Sequence, residues 1–278
     1  MEARELGTGW MDCNARVHGV VLAGGEGKRL RPLTYYFQKC MTPIGSTQKP
    51  LLEYIVRLLT HHGVRHVTFL VGYKHEQIVN YFGDGDRFGA ICDYVRDDAE
   101  LEGSGWSLVN AYTQGAVGDD ETLLIYYGDI LSNMDLGEML AQHREEKVAA
   151  TLATSHGYQV PVGVAEVEGK RVKGWVEKPV LPIFAGMGVL ALESRILRTL
   201  SSPLGDKRDF DIMADIVPGL LRAGEPVGCY STSAFWYDVG SVERYEKIDN
   251  GLLDKAFRVM FSSSADVTVK AGSHPQPR

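Results

Sequence analysis

The stretch from Val17 to Thr34, VHGVVLAGGEGKRLRPLT, constrains this chain more than any other. Val17, Val20, Val21 and Leu22 form a short β-branched apolar run, the pattern of a strand buried on both faces of a parallel sheet. Ala23, Gly24, Gly25 and Gly27 follow at once, so the strand runs into a glycine-rich turn. Glycines let backbone N–H groups come close to a phosphate, and Lys28, Arg29 and Arg31 bring positive charge to the same place. The combination calls for a polyanionic ligand. Two better-known phosphate loops do not fit. A dinucleotide-binding fingerprint would put a third glycine where Leu30 stands, and a Walker loop would need glycine at Leu22 and Ser or Thr at Arg29.

Composition narrows the partners. With 278 residues, 44% hydrophobic and 23% charged, the chain can bury a large core, and none of its apolar runs approaches the ~18 residues of a membrane helix. A soluble protein with no membrane partner is expected. The net charge of −7 argues against a nucleic-acid partner, which needs a broad basic face. The four cysteines, Cys13, Cys40, Cys92 and Cys229, are widely spaced, which suggests neither a zinc site nor a disulfide framework and points to a reducing cytoplasm. Residues 1–16 lack the apolar core of a signal peptide and read as a flexible extension, as does the Ser-rich tail 262–278.

Between those ends the pattern alternates. Apolar positions at helical spacing from Leu51 to His62 follow Pro50; Val67–Val71 reads as a strand, His75–Tyr81 as a helix, and Ile91–Val95 as a strand. A helix opens at Gly103-Ser104-Gly105, and Leu123–Tyr127, apolar throughout, reads as a central strand ending at Gly128-Asp129. Strand–helix alternation implies a parallel sheet, and an acidic residue at the carboxyl end of a central strand lies where such sheets bind ligands. After the helix Leu136–Lys147, short strands at Val148–Ala153, Gly163–Val167, Val172–Val176 and Gly188–Ala191 precede helices at Ser194–Leu200 and Asp211–Ala223. Edge strands at Val227–Tyr230 and Phe235–Tyr237 and a helix from Ser241 to Leu253 close the pattern, and Met41–Gly45 reads as a turn.

Gly25, Gly27, Arg29, Leu30, Pro32, Thr34 and Lys39 together resemble the signature of the sugar-1-phosphate nucleotidyltransferases, G-x-G-x-R-L-x-P-x-T with a lysine five residues on. The likeness continues in order through Tyr127-Gly128-Asp129, the E-K-P motif at Glu177-Lys178-Pro179, and the W-x-D-x-G-[ST] motif from Trp236 to Ser241. The resemblance implies an α/β fold: a doubly wound, mostly parallel but mixed Rossmann-like sheet of the nucleotide-diphospho-sugar transferase type. It divides the catalytic region, 17–261, into a nucleotide-binding half at about 17–147 and a smaller α+β sugar-binding half at about 148–261.

The resemblance also implies transfer of a nucleoside monophosphate from a triphosphate to a sugar 1-phosphate, with Mg²⁺ held by Asp129 and Asp238. Arg29 and Lys39 would contact the triphosphate, and Lys178 the sugar phosphate. Leu22, Ala23, Gly24, Gly25 and Gly27, with Asp98, Gly103 and Ser104, would hold the nucleotide; Gly128, Gly163, Glu177 and Lys178 would hold the sugar. A carboxylate at Asp98 could accept from two guanine donors where uracil and thymine offer one, which favours GTP over dTTP or UTP. Trp106 and Phe184 depart from the family pattern, the first where small residues are usual and the second where an asparagine is. A glucose-1-phosphate thymidylyl- or uridylyltransferase, a nucleotide-sugar-binding regulatory subunit and an enzyme for a non-sugar phosphate remain alternatives to a mannose-1-phosphate guanylyltransferase. Homo-oligomerisation is compatible with all of them.

Overall fold

The computed structural model describes residues 16–98, 100–200 and 208–261. Seven strands form one sheet: β1 (Arg16–Ala23), β2 (His66–Val71), β3 (Ile91–Arg96), β4 (Glu121–Tyr127), β5 (Ala150–Gln159), β6 (Val180–Glu193) and β7 (Val227–Thr232). Their order is β7-β5-β6-β4-β1-β2-β3, and all neighbours are parallel except the two pairs made by β6. The expected mixed, mostly parallel sheet is present, and the apolar Leu123–Tyr127 run lies at its centre. Residues 1–15 and 262–278, expected as extension and tail, lie outside the described residues; Arg16 already begins β1.

Helices α1 (Leu51–His61), α2 (His75–Phe82), α3 (Ser104–Thr113), α4 (Leu136–Glu146), α5 (Arg195–Leu200), α6 (Val217–Ala223), α7 (Val242–Glu246) and α8 (Asn250–Phe261) surround the sheet. Alternate strand residues serve opposite cores. Val21, Leu124, Tyr126, Val189 and Ala191 pack with Leu58 of α1 and Phe257 of α8, while Val20, Leu123, Ile125, Leu190 and Leu192 pack with Leu108 of α3 and Leu220 of α6. Because both faces are covered, the central strands can be apolar at every position instead of every second one.

The second half departs from the expected boundaries. Strands β5 and β6 run well past the core, with irregular register between Leu181 and Phe184 and between Gly186 and Leu190. In that extension Val180, Ile183 and Phe184 are exposed, so no burial period marked it in the sequence. Residues Val164–Glu168 and Arg171–Val176 form a separate antiparallel ribbon. The helix expected from Ser241 to Leu253 is two, because the Asp249 side chain accepts from the Leu252 N–H and restarts the chain as α8. Pro218 falls in the first turn of α6, where its missing N–H costs nothing, and a π-helical turn, Ile212–Ile216, precedes it. The expected turn Met41–Gly45 contributes Pro43–Ile44 to a short pairing with Lys49–Pro50.

A segment from the second half is laced onto the entry of α3. The Glu102 N–H donates to the Arg208 carbonyl, the Phe210 N–H to the Glu102 carbonyl, and the Gly105 N–H to the Phe210 carbonyl, all at 2.8–2.9 Å. Ser104 Oγ donates to Asp211 Oδ2 at 2.6 Å, while Asp211 Oδ1 accepts from the Met213 and Ala214 N–H groups. At the centre of this lacing Gly103 has φ +100°, and a Cβ there would collide with the Phe210 carbonyl oxygen. Gly103→Ala should therefore destabilise the protein by roughly 1–3 kcal/mol, read as a lower urea midpoint. An unchanged midpoint would mean the lacing gives way freely.

At the amino ends of the strands, His18 is 2% exposed; its Nδ1 meets Glu121 Oε2 at 3.1 Å, its Nε2 meets Thr68 Oγ1 at 2.8 Å, and the His66 ring stacks on it at 4.1 Å. Burial first and the neighbouring His66 second hold its pKa below the ordinary 6.5, against the hydrogen bond to Glu121; half-buried His62 is lowered too. The folded state thus binds these protons more weakly than the unfolded chain, so their contribution is complete above pH 6.5 and declines below it. The urea midpoint should drop between about pH 7.5 and about pH 5.5, and drop less in His18→Gln. Parallel declines in the two proteins would rule His18 out as a source.

Candidate active site

The chain moves outward from β1 to β2 and β3 and then returns to place β4 on the other side of β1. At this reversal the connections leaving β1 and β4 diverge and open a crevice at the carboxyl ends of the strands. The Gly128 N–H donates to the Leu22 carbonyl at 3.0 Å, closing the floor between the two strand ends. A cavity of about 670 Å³ lies there.

Ten residues singled out in the sequence line that cavity: Leu22, Ala23, Gly24, Gly25, Gly27, Arg29, Lys39, Gly103, Ser104 and Asp129. They come from the glycine-rich turn after β1, the turn before Pro43–Ile44, the start of α3 and the end of β4. Gly240 joins them from the W-x-D-x-G motif. Of the other basic residues on the glycine turn, Lys28 and Arg31 both pair with Glu26, at 3.4 and 3.5 Å. Arg29, by contrast, has no ion-pair partner among the described residues, so its guanidinium is uncommitted.

Asp129 and Asp238 come together from separate elements. Trp236–Asp238 pairs antiparallel with Ile130–Ser132, setting Asp238 opposite Ile130, and the Val239 N–H donates to the Asp129 carbonyl at 2.9 Å. Lys39 Nζ is ion-paired with Asp129 Oδ2, and Arg244 Nη1 with Asp238 Oδ2. A Cβ on Gly240 would lie 2.7 Å from Asp238 Oδ1 and 3.4 Å from Arg29 Nη2, which locates the free guanidinium beside this carboxylate. Burial first, and the charge of Asp129 second, push the Asp238 carboxyl above its usual range, opposed by Arg244, Lys39 and Arg29. Asp238 Oδ1 is buried and accepts no hydrogen bond. An ionised oxygen in that position has a lone pair that a cation could take. Among the described residues no three His, Cys, Asp or Glu side chains form a metal cage, and a magnesium ion sharing its shell with phosphate oxygens needs only one or two carboxylates.

On the base side, Asp98 is exposed and accepts from the Glu100 N–H within its own turn at 2.9 Å. Its neighbour Asp97 lines the cavity, lying against Gly24 so closely that a Cβ there would overlap its carboxylate. Burial raises the Asp97 pKa, with the Ser107 hydroxyl opposing. Two adjacent aspartates are indistinguishable by pattern; only the direction of the chain leaving β3 separates them. Tyr127 also lines the cavity, its OH 3.3 Å from Ser104 Oγ, and burial pushes it up to about 12. Cys40, another lining residue, is a buried thiol raised to about 12 by burial and by Asp129. Trp106 packs on Phe210, with ring centroids 5.6 Å apart, and does not line the cavity.

Gly163, Glu177 and Lys178 lie outside the lining, flanking the open end of the ribbon in the second half. Trp175 covers Gly163, and a Cβ on that glycine would be 2.8 Å from Glu177 Oε2, so the E-K-P glutamate and Gly163 are adjacent. Lys178 is exposed at φ +47° and close enough to Glu243 of α7 to lower its pKa, alongside the stronger effect of Lys247. Phe184 is also exposed, edge-on to His156 at 5.0 Å. Arg244 and Asp211 were missed in the sequence. A basic residue one turn after the Ser241 cap marks Arg244, whereas nothing local marks Asp211.

The nucleotidyl transferase family matches residues 18–255. A UTP–glucose-1-phosphate uridylyltransferase of Synechocystis is 28% identical over 254 residues, 86% of this chain and 64% of the relative. A mannose-1-phosphate guanylyltransferase of Mycobacterium tuberculosis is 30% identical over 242 residues, 83% of this chain and 63% of the relative. The chain thus spans just under two thirds of the length of these relatives. Among solved structures, one from Bacillus anthracis assigned as a glucose-1-phosphate thymidylyltransferase superposes with a TM-score of 0.68 at 22% identity, covering 89% of this chain and 96% of that one, which supports the nucleotide-diphospho-sugar transferase fold. With a family match running from β1 into α8, the chain belongs to the nucleotidyl transferase family.

Proposed function

We infer that this protein joins a nucleoside monophosphate to a sugar 1-phosphate and releases pyrophosphate, with GTP and mannose 1-phosphate as its preferred pair. The observation that carries this reading is the convergence of the glycine-rich turn, Arg29, Lys39 and Asp129 on one crevice at the strand ends, with Asp238 held just behind the lining by the pairing of Trp236–Asp238 with Ile130–Ser132. A phosphate oxygen of the sugar 1-phosphate attacks the α-phosphorus of the triphosphate; the new P–O bond forms as the bond to the β-phosphate oxygen breaks, and pyrophosphate leaves. No protein nucleophile is required, so the protein's task is alignment and stabilisation of charge.

Backbone N–H groups of the Gly24–Gly27 turn and the free guanidinium of Arg29 would receive the β- and γ-phosphates. Lys39, beside Asp129, would meet the phosphate nearest the reacting centre. Asp129 and the unpaired Oδ1 of Asp238 would hold Mg²⁺, which when bound offsets the negative charge of the phosphates. Lys178 would receive the sugar phosphate, and Glu177, next to Gly163, a sugar hydroxyl. Cytoplasmic nucleotide-sugar synthesis is the setting these roles suit, and no helix among the described residues is long and apolar enough to cross a membrane.

What favours GTP is Asp97. A carboxylate on the base side of the cavity can accept from both the ring N–H and the amino group of guanine, while uracil and thymine present a single donor to it. The relatives named as uridylyl- and guanylyltransferases are about equally similar, so UTP and dTTP are the competing substrates.

Pyrophosphate release should be measured with Mg²⁺ across GTP, UTP, dTTP, ATP and CTP, each with mannose, glucose, galactose and glucosamine 1-phosphates. GTP with mannose 1-phosphate should be fastest, and removal of Mg²⁺ with a chelator should stop release. A faster UTP or dTTP reaction would overturn the base assignment; silence with every pair would overturn the reaction. Asp97→Asn should cost GTP more than UTP, narrowing the preference by roughly tenfold or more, as expected when a site built for two donors loses its acceptor. Asp129→Asn should lower kcat roughly 10²–10³-fold with the urea midpoint little changed. Near-normal turnover in that variant would remove Asp129 from the centre.

A further inference from the structure

Both carboxylates assigned to the metal already carry a protein cation, Lys39 on Asp129 and Arg244 on Asp238. Arg29 lies beside them as well, with its guanidinium near Gly240. Each of these two carboxylates is therefore already matched by a protein cation before any metal arrives. A divalent ion entering alone would have to compete with Lys39 and Arg244 for these carboxylates, in a partly buried crevice where screening is weak. Phosphate groups arriving with the ion would offer those cations another anion.

Arg244 is the member of this set without another task. It lies on α7, its backbone N–H donates to the Ser241 Oγ, and its carbonyl accepts from the Tyr237 OH at 2.6 Å. Its side chain is 44% exposed, and among the described residues Asp238 is the one carboxylate that pairs with it. The adjacent Glu243 is held below its usual range mainly by Lys247, then by Arg244 and, more weakly, by Lys178, so the Glu-Lys-Pro turn lies within electrostatic reach of α7. A guanidinium binds phosphate through two parallel N–H bonds, and a phosphate monoester dianion offers it more charge than the one carboxylate oxygen it now holds.

We propose that Arg244 is a phosphate-binding residue held in reserve on Asp238: it competes with the divalent ion for that carboxylate and yields it when a phosphate monoester draws the guanidinium away. This rests on Asp238 being a metal ligand. It makes metal affinity and sugar-phosphate affinity reciprocal, since whatever moves Arg244 off Asp238 favours the other occupant of the carboxylate.

The test is a Mn²⁺ titration of the full chain without nucleotide, followed by electron paramagnetic resonance, with and without methyl phosphate as a monoester probe that carries no sugar. Arg244→Gln should bind Mn²⁺ roughly tenfold more tightly than the wild type, because a competing positive charge is gone. Arg244→Lys, which keeps the charge, should stay close to wild type. Methyl phosphate should tighten Mn²⁺ binding in the wild type and leave Arg244→Gln unchanged, and the KM for the sugar 1-phosphate should rise in Arg244→Gln while that for the triphosphate holds. Equal or weaker Mn²⁺ binding in Arg244→Gln would overturn the competition. Asp238→Asn separates the two levels: if it leaves Mn²⁺ binding intact, the metal assignment falls and this proposal with it. If it abolishes binding while Arg244→Gln has no effect, the metal assignment stands and the proposal alone fails.

Discussion

The placement of β1 between two parallel neighbours governs the rest of the molecule. Leu22 stands in register with Leu70 of β2 on one side and Tyr127 of β4 on the other, so three strands end at one level. From that level the chain departs as the glycine-rich turn, as Gly72-Tyr73 and as Gly128-Asp129. Ligand-binding backbone, a cation-bearing loop and an acidic group thus meet without any long-range adjustment. The two cores beneath and above the sheet hold this level rigid, since each central strand residue is packed on one side or the other.

Charge is arranged against the same frame. The crevice is half-buried, and Asp129 and Asp238 have each drawn in a cation, while Asp238 still has one oxygen unpaired. Such a cluster stores little stability, because desolvation offsets much of the attraction. Its significance is readiness: in the proposed reaction, the groups that would contact phosphate are already held within reach by the groups that would contact metal.

Much of this was legible in the sequence because it is local. A buried strand followed by glycines, a helix begun by proline, and an all-apolar run at the sheet centre each follow from a few neighbouring residues. Gathering ten of the singled-out residues around one cavity needed only ordered motifs at strand ends. What escaped is non-local or exposed. The outer parts of β5 and β6 bury too little to carry a period, and Asp249 restarts a helix through one side-chain bond that no periodicity displays. Asp97 and Asp98 are neighbours of the same type, separated by which side of the backbone each takes. Asp211 finds Ser104 across 107 residues, a distance over which the sequence carries no readable signal.

The segment from Arg208 to Ile212, laced onto the start of α3, bears on how such a chain can be recombined. The part of the crevice at the start of α3, the nucleotide side in the proposed function, is built partly from backbone that arrives after the strands of the proposed sugar side. Cutting at residue 147 and exchanging the following portion for that of a relative would replace not only the sugar ribbon but also the clasp on Ser104 and Gly105. A chimera made to change the sugar would then alter the choice of base as well, unless residues 208–212 travelled with the half that contains α3.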